Sequence, residues 1–441
     1  MFYRNADPVA LRVIFLCYFW FSLLLTPSVL IAKEKSIAEE NESVAKPTLN
    51  LQQALKLTLD SNPELELFQF QFQELAGEMS TASLNPGYQL GVELENFSGN
   101  GVFSGLDNSE LTVSLSSAIE LGGKLDARQQ VVSANNDYLG TQKRLKTLEL
   151  LSETAKRYLE VLAAQERIKL AEESVQIAQK ALTIVKRRVK LGASMTAEAS
   201  RAEASLAQAE LTLDKEQSYY RAAQVNLASM WGEMDAPSFA VQGNLYQFGK
   251  SRSLEQLLAE IQNNPSIRQY AALERIRDAE LDLVRSNNQS DLNWSVGVFR
   301  NEASGDMGLK AGFSMDLFSQ LRNQGAYQRA QAIKEQTFVS KRTALLRLQT
   351  QLAKTYQYRE QSIKTAQRLE QDVIPALLSA LHDSEEAYQR GRYSYFEYVL
   401  ARQELIAAKR KLIDEAVAIL LFGVTIEQLT AQPLTQSSVE L

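Results

Sequence analysis

Few residues in this sequence have the types and spacing that catalysis or metal binding requires. His382 is the sole histidine, Cys17 is the sole cysteine, and there are only seven methionines. These groups are too few to assemble a nucleophile and base pair or a dedicated internal metal site. Leu121-Gly122-Gly123-Lys124 lacks the spacing and the Ser or Thr of a nucleotide-binding loop and fits a strand-to-helix turn. We therefore expect no enzyme, no cofactor and no resident metal.

Composition narrows the class of protein further. The chain has 441 residues, of which 45% are hydrophobic and 23% charged, so it could form two or three ordinary domains or one elongated domain with a thin core. Its formal net charge is -6, with no cluster of Lys and Arg, which argues against a nucleic-acid partner. The abundant Glu and Lys are interpreted as solvated helix faces.

One stretch of the chain predicts a single, very long helix. Lys124 to Leu191 contains no proline and, after its start, only Gly140 as glycine, so it can form a helix of about 100 Å. Apolar residues recur in it every seven positions along two lines, which is the seam of a coiled coil. The two lines are Val161, Ile168, Val175, Leu182, Val189 and Ala164, Ala171, Ala178, Val185.

The following segment supplies the partner helix. Gly192 separates the two segments at a place where a helix ends in a left-handed turn. The sequence therefore predicts a long antiparallel helical hairpin over residues 124–231, with Gly192 at its tip. Its second helix carries the lines Ala199, Leu206, Leu213, Tyr220, Leu227 and Ala202, Ala209, Ala223, Met230, with Glu216 interrupting the latter once.

The N-terminus has the features of a secretory signal rather than a membrane anchor. Arg4 and Arg12 precede the apolar run Val13 to Leu25, and Ala32 is taken as the last residue before cleavage. Residues 1–32 are interpreted as a signal peptide and the charged residues 33–47 as a flexible lead-in. No later stretch has the apolar length of a membrane helix, so insertion into a membrane would be by strands.

Two segments switch to the alternation of β-strands, apolar on one face and polar on the other. They are interpreted as β-hairpins over residues 88–119 and 292–317. Their strand length matches a transmembrane barrel, although a soluble sheet would alternate in the same way. The apolar positions are Tyr88, Leu90, Val92, Leu94, Leu111, Val113, Leu115, then Leu292, Trp294, Val296, Val298, Met307, Leu309, Ala311, Phe313, Met315, Leu317.

The same order of elements occurs twice, as helix, β-hairpin, long helix, glycine tip and return helix. Gly391 is the second tip, and Pro375 is expected to kink the second long helix. The assigned segments are repeat 1 at 48–231, a linker or equatorial segment at 232–252, repeat 2 at 253–423 with its helical hairpin at 321–423, and a polar tail at 424–441.

Four strands are too few to close a barrel, and an open edge in lipid leaves backbone groups unpaired. Two copies would give eight strands with a filled interior, whereas three would give twelve strands with room for water. Three copies are favoured by the polar set expected to face inward, which is Gln89, Glu93, Thr112, Ser114, Asn293, Lys310 and Asp316. We therefore predict an α+β membrane protein with an internal two-fold repeat, a homotrimer whose 12-stranded outer-membrane β-barrel continues as a long periplasmic α-helical barrel.

Over nearly all of residues 48–430 the chain resembles the TolC-like outer-membrane efflux factors. Within Leu84 to Arg128, the portions ENFSG and ELGGK are most similar to the cobalt–zinc–cadmium resistance branch. Tyr388 to Leu405, YQRGRYSYFEYVLARQEL, is similar to the family's tip motif, and Pro375 also has a family counterpart. The resemblance implies a trimer whose tips dock on a periplasmic adaptor, which links it to an inner-membrane pump of the resistance-nodulation-division type.

The resemblance also implies which residues line a periplasmic gate. In the family an acidic residue six positions after each tip glycine tends to line the narrow entrance, and Glu198 and Glu397 hold that spacing from Gly192 and Gly391. Tyr388 matches a family position at the same constriction. We take these three as gate candidates and the two glycines as adaptor-contact tips.

Two features qualify this assignment. Leu400 stands where some family members carry a second acid, so the entrance would hold fewer charges. Ser394 and Glu397 also have the spacing of a helix capping box, which explains Glu397 without a gate.

The function expected from these observations is the outer-membrane exit duct of a tripartite efflux system that exports heavy-metal cations or small toxic compounds. Two alternatives remain at this stage. The same architecture could serve type I protein secretion with a different inner-membrane exporter. The chain could also be a soluble coiled-coil scaffold in which the alternating segments form a small packed sheet.

Overall fold

The computed structural model describes residues 48–234, 239–249 and 252–432. The predicted signal peptide and lead-in lie outside the described residues. The strands are β1 (Thr48–Leu49), β2 (Gln89–Glu95), β3 (Glu110–Ile119), β4 (Ala240–Val241), β5 (Leu292–Asn301) and β6 (Met307–Met315). The helices are α1 (Leu51–Ser61), α2 (Pro63–Ala82), α3 (Lys124–Lys190), α4 (Thr196–Ala228), α5 (Leu254–Glu260), α6 (Pro265–Ser286), α7 (Ser319–Arg368), α8 (Ile374–Gln389) and α9 (Tyr395–Thr430).

The first long hairpin has the form that the heptads predict. Helix α3 runs unbroken for 67 residues, and α4 packs along it. The small residues of the seam, Ala164, Ala171 and Ala178, are at most 5% exposed, which lets the two helices approach closely. Glu216, which interrupts the partner line, is also buried and pairs with Arg410 of α9 across 3.2 Å.

The second long hairpin is not one continuous helix on its outgoing side. A π-helical turn, Leu369–Val373, separates α7 from α8, and Pro375 is the second residue of α8. A proline lacks the N–H for the regular helical bond and its ring collides with the carbonyl four residues earlier. The wide π turn directly before Pro375 is a backbone form that accommodates both effects, so the predicted disruption takes this shape.

The prediction of a polar tail from residue 424 is wrong for its first seven residues. Helix α9 continues past Gly423 to Thr430. Ile426 and Leu429 are buried there against Leu257 and Leu352 of the second repeat. Their three-residue spacing keeps both side chains on the packed face, which holds the helix together beyond the glycine.

The described residues 239–249 of the segment that joins the repeats contribute to the core. Strand β4 pairs in parallel with β1 at the start of the described chain. The hydroxyl of Tyr158 in α3 donates to the carbonyl oxygen of Leu49, 2.9 Å away, and also contacts that of Gln242. Phe239, Val241 and Leu245 of this segment are buried in the same apolar cluster as Tyr158. The region near the middle of the long helices is therefore an ordered belt.

The two β-hairpins form one antiparallel sheet with the strand order β2-β3-β5-β6. The pairing register places the predicted inward residues on one face, apart from Asp316, which follows the end of β6. The opposite face is apolar and uncovered, with Leu90 73%, Leu309 86% and Phe313 76% exposed. A surface of this kind on a sheet of four strands is unusual in a chain that meets only water.

The polar face has close backbone approaches at glycines. A Cβ on Gly297 would lie 2.6 Å from the carbonyl oxygen of Val113, and one on Gly308 would lie 2.5 Å from the ring of Phe299. Both glycines and Phe299 belong to the polar face by the pairing register. The absence of side chains at these points lets the sheet curve toward its polar face.

The sheet ends at two unpaired strands. Within the described chain, β2 pairs only with β3, and β6 pairs only with β5. Each therefore offers a row of backbone N–H and C=O groups to another strand. None of the described helices is both long enough and apolar enough to cross a membrane.

Candidate functional site: the paired helix tips

Both helical hairpins reverse at a glycine in the left-handed conformation. Gly192 has φ +66° and Gly391 has φ +76°, a region that side chains disfavour. The N–H of Ala193 donates to the carbonyl oxygen of Arg188 across 2.9 Å, and the residue after Gly391 makes the equivalent bond at 2.8 Å. These are the long bonds of a Schellman end, so the predicted role of both glycines as helix terminators is confirmed.

The two tips pack together around three tyrosines. Tyr388 of α8 and Tyr395 and Tyr398 of α9 are buried with side chains from the first hairpin. The rings of Tyr388 and Tyr398 stack with centroids 5.8 Å apart and planes within 11°. The residues of α3 and α4 that complete this cluster are Ala181, Leu182, Val185 and Ala202. The structure therefore brings together the tips of two repeats that lie about two hundred positions apart in the chain.

Two of the gate candidates are in direct contact. The hydroxyl of Tyr388 donates a hydrogen bond of 2.9 Å to Oε2 of Glu198 in α4, and it also lies 3.4 Å from the hydroxyl of Ser194. Burial raises the pKa of the Tyr388 phenol, and the bond to Glu198 raises it further. The phenol therefore keeps its proton at neutral pH and acts as a stable donor to the carboxylate.

The third gate candidate has a different environment. Glu397 is exposed, and its carboxylate accepts from the N–H of Ser394 at 2.7 Å and from the hydroxyl of Ser394 at 3.0 Å. The N–H of Glu397 points back to the Ser394 hydroxyl at 3.4 Å, which completes a capping box at the start of α9. No hydrogen bond joins Glu397 to Glu198 or Tyr388 in the described part of the chain.

A residue that the sequence reasoning missed stands at the centre of the site. Arg188, in the last turn of α3, places its guanidinium 4.7 Å from the ring centroid of Tyr388 and donates to backbone carbonyls of both tips. A basic residue in the last turn of a helix interacts favourably with the helix dipole, and the position of Arg188 in the sequence indicates this role. Its contacts to the other repeat have no sequence signal.

The contacts described at the tips are hydrogen bonds, ring packing and one cation–π contact. Among the described residues, no three His, Cys, Asp or Glu side chains are grouped so as to hold a metal ion. His382 lies on the exposed side of α8. The arrangement can hold two helix tips together or release them, because the bond from Tyr388 to Glu198 and the contacts of Arg188 with Tyr388 and Gln389 link one hairpin to the other.

Comparison with known proteins finds similarity to outer-membrane efflux proteins. The profile of the family described as outer membrane efflux protein matches residues 55–233. The chain is 27% identical over 366 residues to the cobalt-zinc-cadmium resistance protein CzcC of Cupriavidus metallidurans, an alignment that covers 82% of this chain and 85% of the relative.

Solved structures share its fold. The channel protein CusC superposes with a TM-score of 0.69 at 17% identity, covering 86% of this chain and 91% of that one. The CmeC outer membrane channel of Campylobacter jejuni superposes with a TM-score of 0.70 at 15% identity, covering 94% and 96%. The similarity therefore extends through the sheet as well as the long helices.

Proposed function

We propose that this chain is a member of the outer membrane efflux protein family, whose profile matches residues 55–233, and that three copies of it form an exit duct through the outer membrane and the periplasm. The family consists of channel proteins and not of enzymes. The observation that carries the proposal is the four-stranded sheet with an uncovered apolar face and two unpaired edges.

The barrel follows from those edges. An unpaired strand in lipid leaves backbone groups without partners at several kcal/mol each, so β6 of one copy must pair with β2 of the next. Three copies give twelve strands with the apolar face toward lipid and the polar face around a water-filled lumen. Gly297 and Gly308 leave room for the sheet to curve toward its polar face, which supports this direction of closure.

The helices below the barrel offer matching edges. Helix α2 packs on α3 and has no fully buried residue, and it leaves Leu67 and Phe70 more than half exposed. Helix α7, which packs on α6, exposes Val339 and Leu346 to a similar degree. We propose that α2 of one copy meets α7 of the next, which closes a helical tube. Helix α3 gives the tube a length of about 100 Å.

The periplasmic end is the proposed gate. The bond between Tyr388 and Glu198 holds the two tips of one copy together, and breaking it would let them move apart. Glu397 has a local capping role that accounts for its contacts, so a ring of Glu397 charges is a separate proposal. The tips at Gly192 and Gly391 are the proposed contact with a periplasmic adaptor, which would link the duct to an inner-membrane pump.

The proposed cargo is heavy-metal cations, since the relative with 27% identity is a cobalt-zinc-cadmium resistance protein. Transport through the duct is passive and the pump supplies the energy. The duct does not need a resident metal site for this, because a cation that binds tightly on its way out would block the path. Protein secretion through the same architecture remains the competing use.

Membrane fractionation, native mass measurement and planar-bilayer recording test the duct together. We expect the full chain in the outer membrane, purified as a trimer that conducts ions. A folded monomer without conductance, or a protein recovered from the cytosol, would overturn the duct and favour a soluble scaffold. Deleting the gene and exposing cells to cobalt, zinc or cadmium salts tests the cargo, because a secretion duct would leave metal tolerance unchanged.

A further inference from the structure

Arg188 connects the two helix tips through an unusually complete set of contacts. Its Nε donates to the hydroxyl of Ser194 at 3.0 Å and its Nη2 donates to the carbonyl oxygen of Ala193 at 3.0 Å. These two residues belong to the loop of the first hairpin. Its Nη1 donates to the carbonyl oxygen of Gln389 at 3.0 Å and to that of Tyr388. These two lie at the end of α8, in the second hairpin.

The contacts to α8 have a clear physical reason. The last carbonyl oxygens of a helix have no partner within the helix and carry partial negative charge. Arg188 supplies a positive charge and directed N–H donors to two of them, so a side chain of α3 caps the end of α8. Its guanidinium also lies over the ring of Tyr388, which adds a cation–π contact.

The contacts of Arg188 differ in kind from the bond between Glu198 and Tyr388. The Tyr388 hydroxyl bonds to one carboxylate through one hydrogen bond, whereas Arg188 holds backbone carbonyls of both hairpins at once. Any movement of α8 away from α3 must break the carbonyl bonds of Arg188 first. The side chain thereby also fixes where the Tyr388 phenol points.

We propose that Arg188 is the positioning residue that sets how firmly the periplasmic gate is closed, acting by tying the end of α8 to the loop of the first hairpin. The inference rests on the proposed duct. It adds to that proposal a second closing element, made of a guanidinium and backbone carbonyls, beside the Tyr388 to Glu198 bond.

The neighbouring Arg187 provides a matched control. It lies in the same helical turn and carries the same charge, but its side chain is exposed. Arg187→Ala and Arg188→Ala therefore remove equal charge from the tip. A lysine at position 188 keeps the charge yet cannot reproduce the planar fork that reaches both hairpins.

The experiment records single-channel conductance and open probability of purified full-length variants in planar bilayers. We expect Arg188→Ala to raise conductance severalfold, Arg188→Lys to give an intermediate value, and Arg187→Ala to match the wild type. The double variant Arg188→Ala with Tyr388→Phe should open little further than Arg188→Ala alone, because the first change already releases Tyr388.

A crosslink separates gate opening from damage to the fold. In the Arg188→Ala background, Ser194→Cys and Gln389→Cys joined by a short bis-maleimide should restore low conductance. The crosslink replaces the link between the hairpins that Arg188→Ala removes. Wild-type conductance in a trimeric Arg188→Ala protein would overturn the inference and leave the duct intact. If Arg188→Ala fails to fold, an Arg188→Lys protein with the conductance of Arg187→Ala overturns the inference equally. Absence of conductance in both the wild type and the Arg188→Ala protein would instead overturn the duct itself.

Discussion

Asn62 and Asn264 occupy equivalent positions in the two repeats and make the same two kinds of hydrogen bond. Each caps the following helix, with its Oδ1 accepting from the N–H two residues later, at 2.9 Å for Asn62 and 2.7 Å for Asn264. Each also donates through Nδ2 to the end of a return helix. Asn62 reaches the carbonyl oxygen of Met230, whereas Asn264 reaches two carbonyl oxygens, those of Gln428 and Leu429.

The first prediction concerns this pair. Asn264→Ala removes a cap and leaves two carbonyl oxygens without their donor, so we expect it to lower the free energy of unfolding by about 2 kcal/mol. Asn62→Ala, which loses one carbonyl contact, should cost less. Chemical unfolding of the purified protein measures both, with the exposed Asn226→Ala as control. Equal losses at both sites would contradict the carbonyl argument.

The second prediction concerns the bond between Tyr388 and Glu198. Tyr388→Phe removes the donor and keeps the ring stack, so we expect higher conductance with little change in unfolding temperature. Glu198→Ala should behave similarly because it removes the acceptor. Tyr393→Phe, at an exposed tyrosine of the same tip, is the control. If both variants conduct like this control, the bond has no part in closing the gate.

The third prediction separates the two roles of Glu397. A glutamine at this position keeps the capping box but removes the charge, whereas alanine removes both. If Glu397 only caps α9, Glu397→Gln should retain stability and cation preference, and Glu397→Ala should lose about 1 kcal/mol of stability. A changed reversal potential in Glu397→Gln would show that a ring of charges acts on the passing ions.

The fourth prediction concerns Glu216, which is 3% exposed in a seam of small residues. Its Oε1 accepts from Arg410 at 3.2 Å. Arg410→Ala would leave the buried carboxylate without this partner, so we expect a loss of about 2 to 3 kcal/mol of unfolding free energy. Glu216→Ala should cost less, since alanine continues the seam. Thermal unfolding against the exposed Lys411→Ala control tests this, and a larger loss in Glu216→Ala than in Arg410→Ala would refute it.

The fifth prediction concerns alkaline pH. Burial raises the pKa of Tyr158 from 10.0 to about 12. Stability from this group is complete below pH 10, because the phenol is protonated in both states. Between pH 10 and about 12 the unfolded chain ionises first, so stability is lost as the pH rises.

The free energy of unfolding, measured from pH 8 upward, should therefore fall less in Tyr158→Phe than in the wild type. At pH 8 itself the variant should be less stable, because it lacks the bond to Leu49. Tyr219→Phe, at an exposed tyrosine, is the control for general effects of base. If Tyr158→Phe loses as much stability at alkaline pH as the wild type, another group causes the effect. Tyr246 is the next candidate, since burial raises its pKa to about 12 as well.

Patterns that repeat along the chain predicted the first long helix, the strands of the four-stranded sheet and the glycine tips. The heptads of α3, the alternation of the strands and the glycines at the tips each depend on neighbours within a few residues. The length of α9 was predicted wrongly because Gly423 resembled a stop signal. The burial of Ile426 and Leu429, which overrides it, depends on packing against the other end of the second repeat.

Contacts between the repeats could not be predicted in the same way. Arg188 meets Tyr388 across a separation of 200 residues, and Glu216 meets Arg410 across 194. In the sequence, Glu216 only interrupted a heptad line, and nothing there indicated which residue would pair with it. The family resemblance indicated Glu198 and Tyr388 as gate positions, and the structure adds that they bond to each other.

The unpaired edges of the sheet also bear on how the protein is made and measured. In the proposed trimer the free edges of β2 and β6 pair only with other copies of the chain, so folding and assembly are one event for this part of the molecule. Its apparent melting temperature should then rise with protein concentration, and newly exported chains need shielding from mispairing until siblings arrive. A dilution series would make that dependence visible.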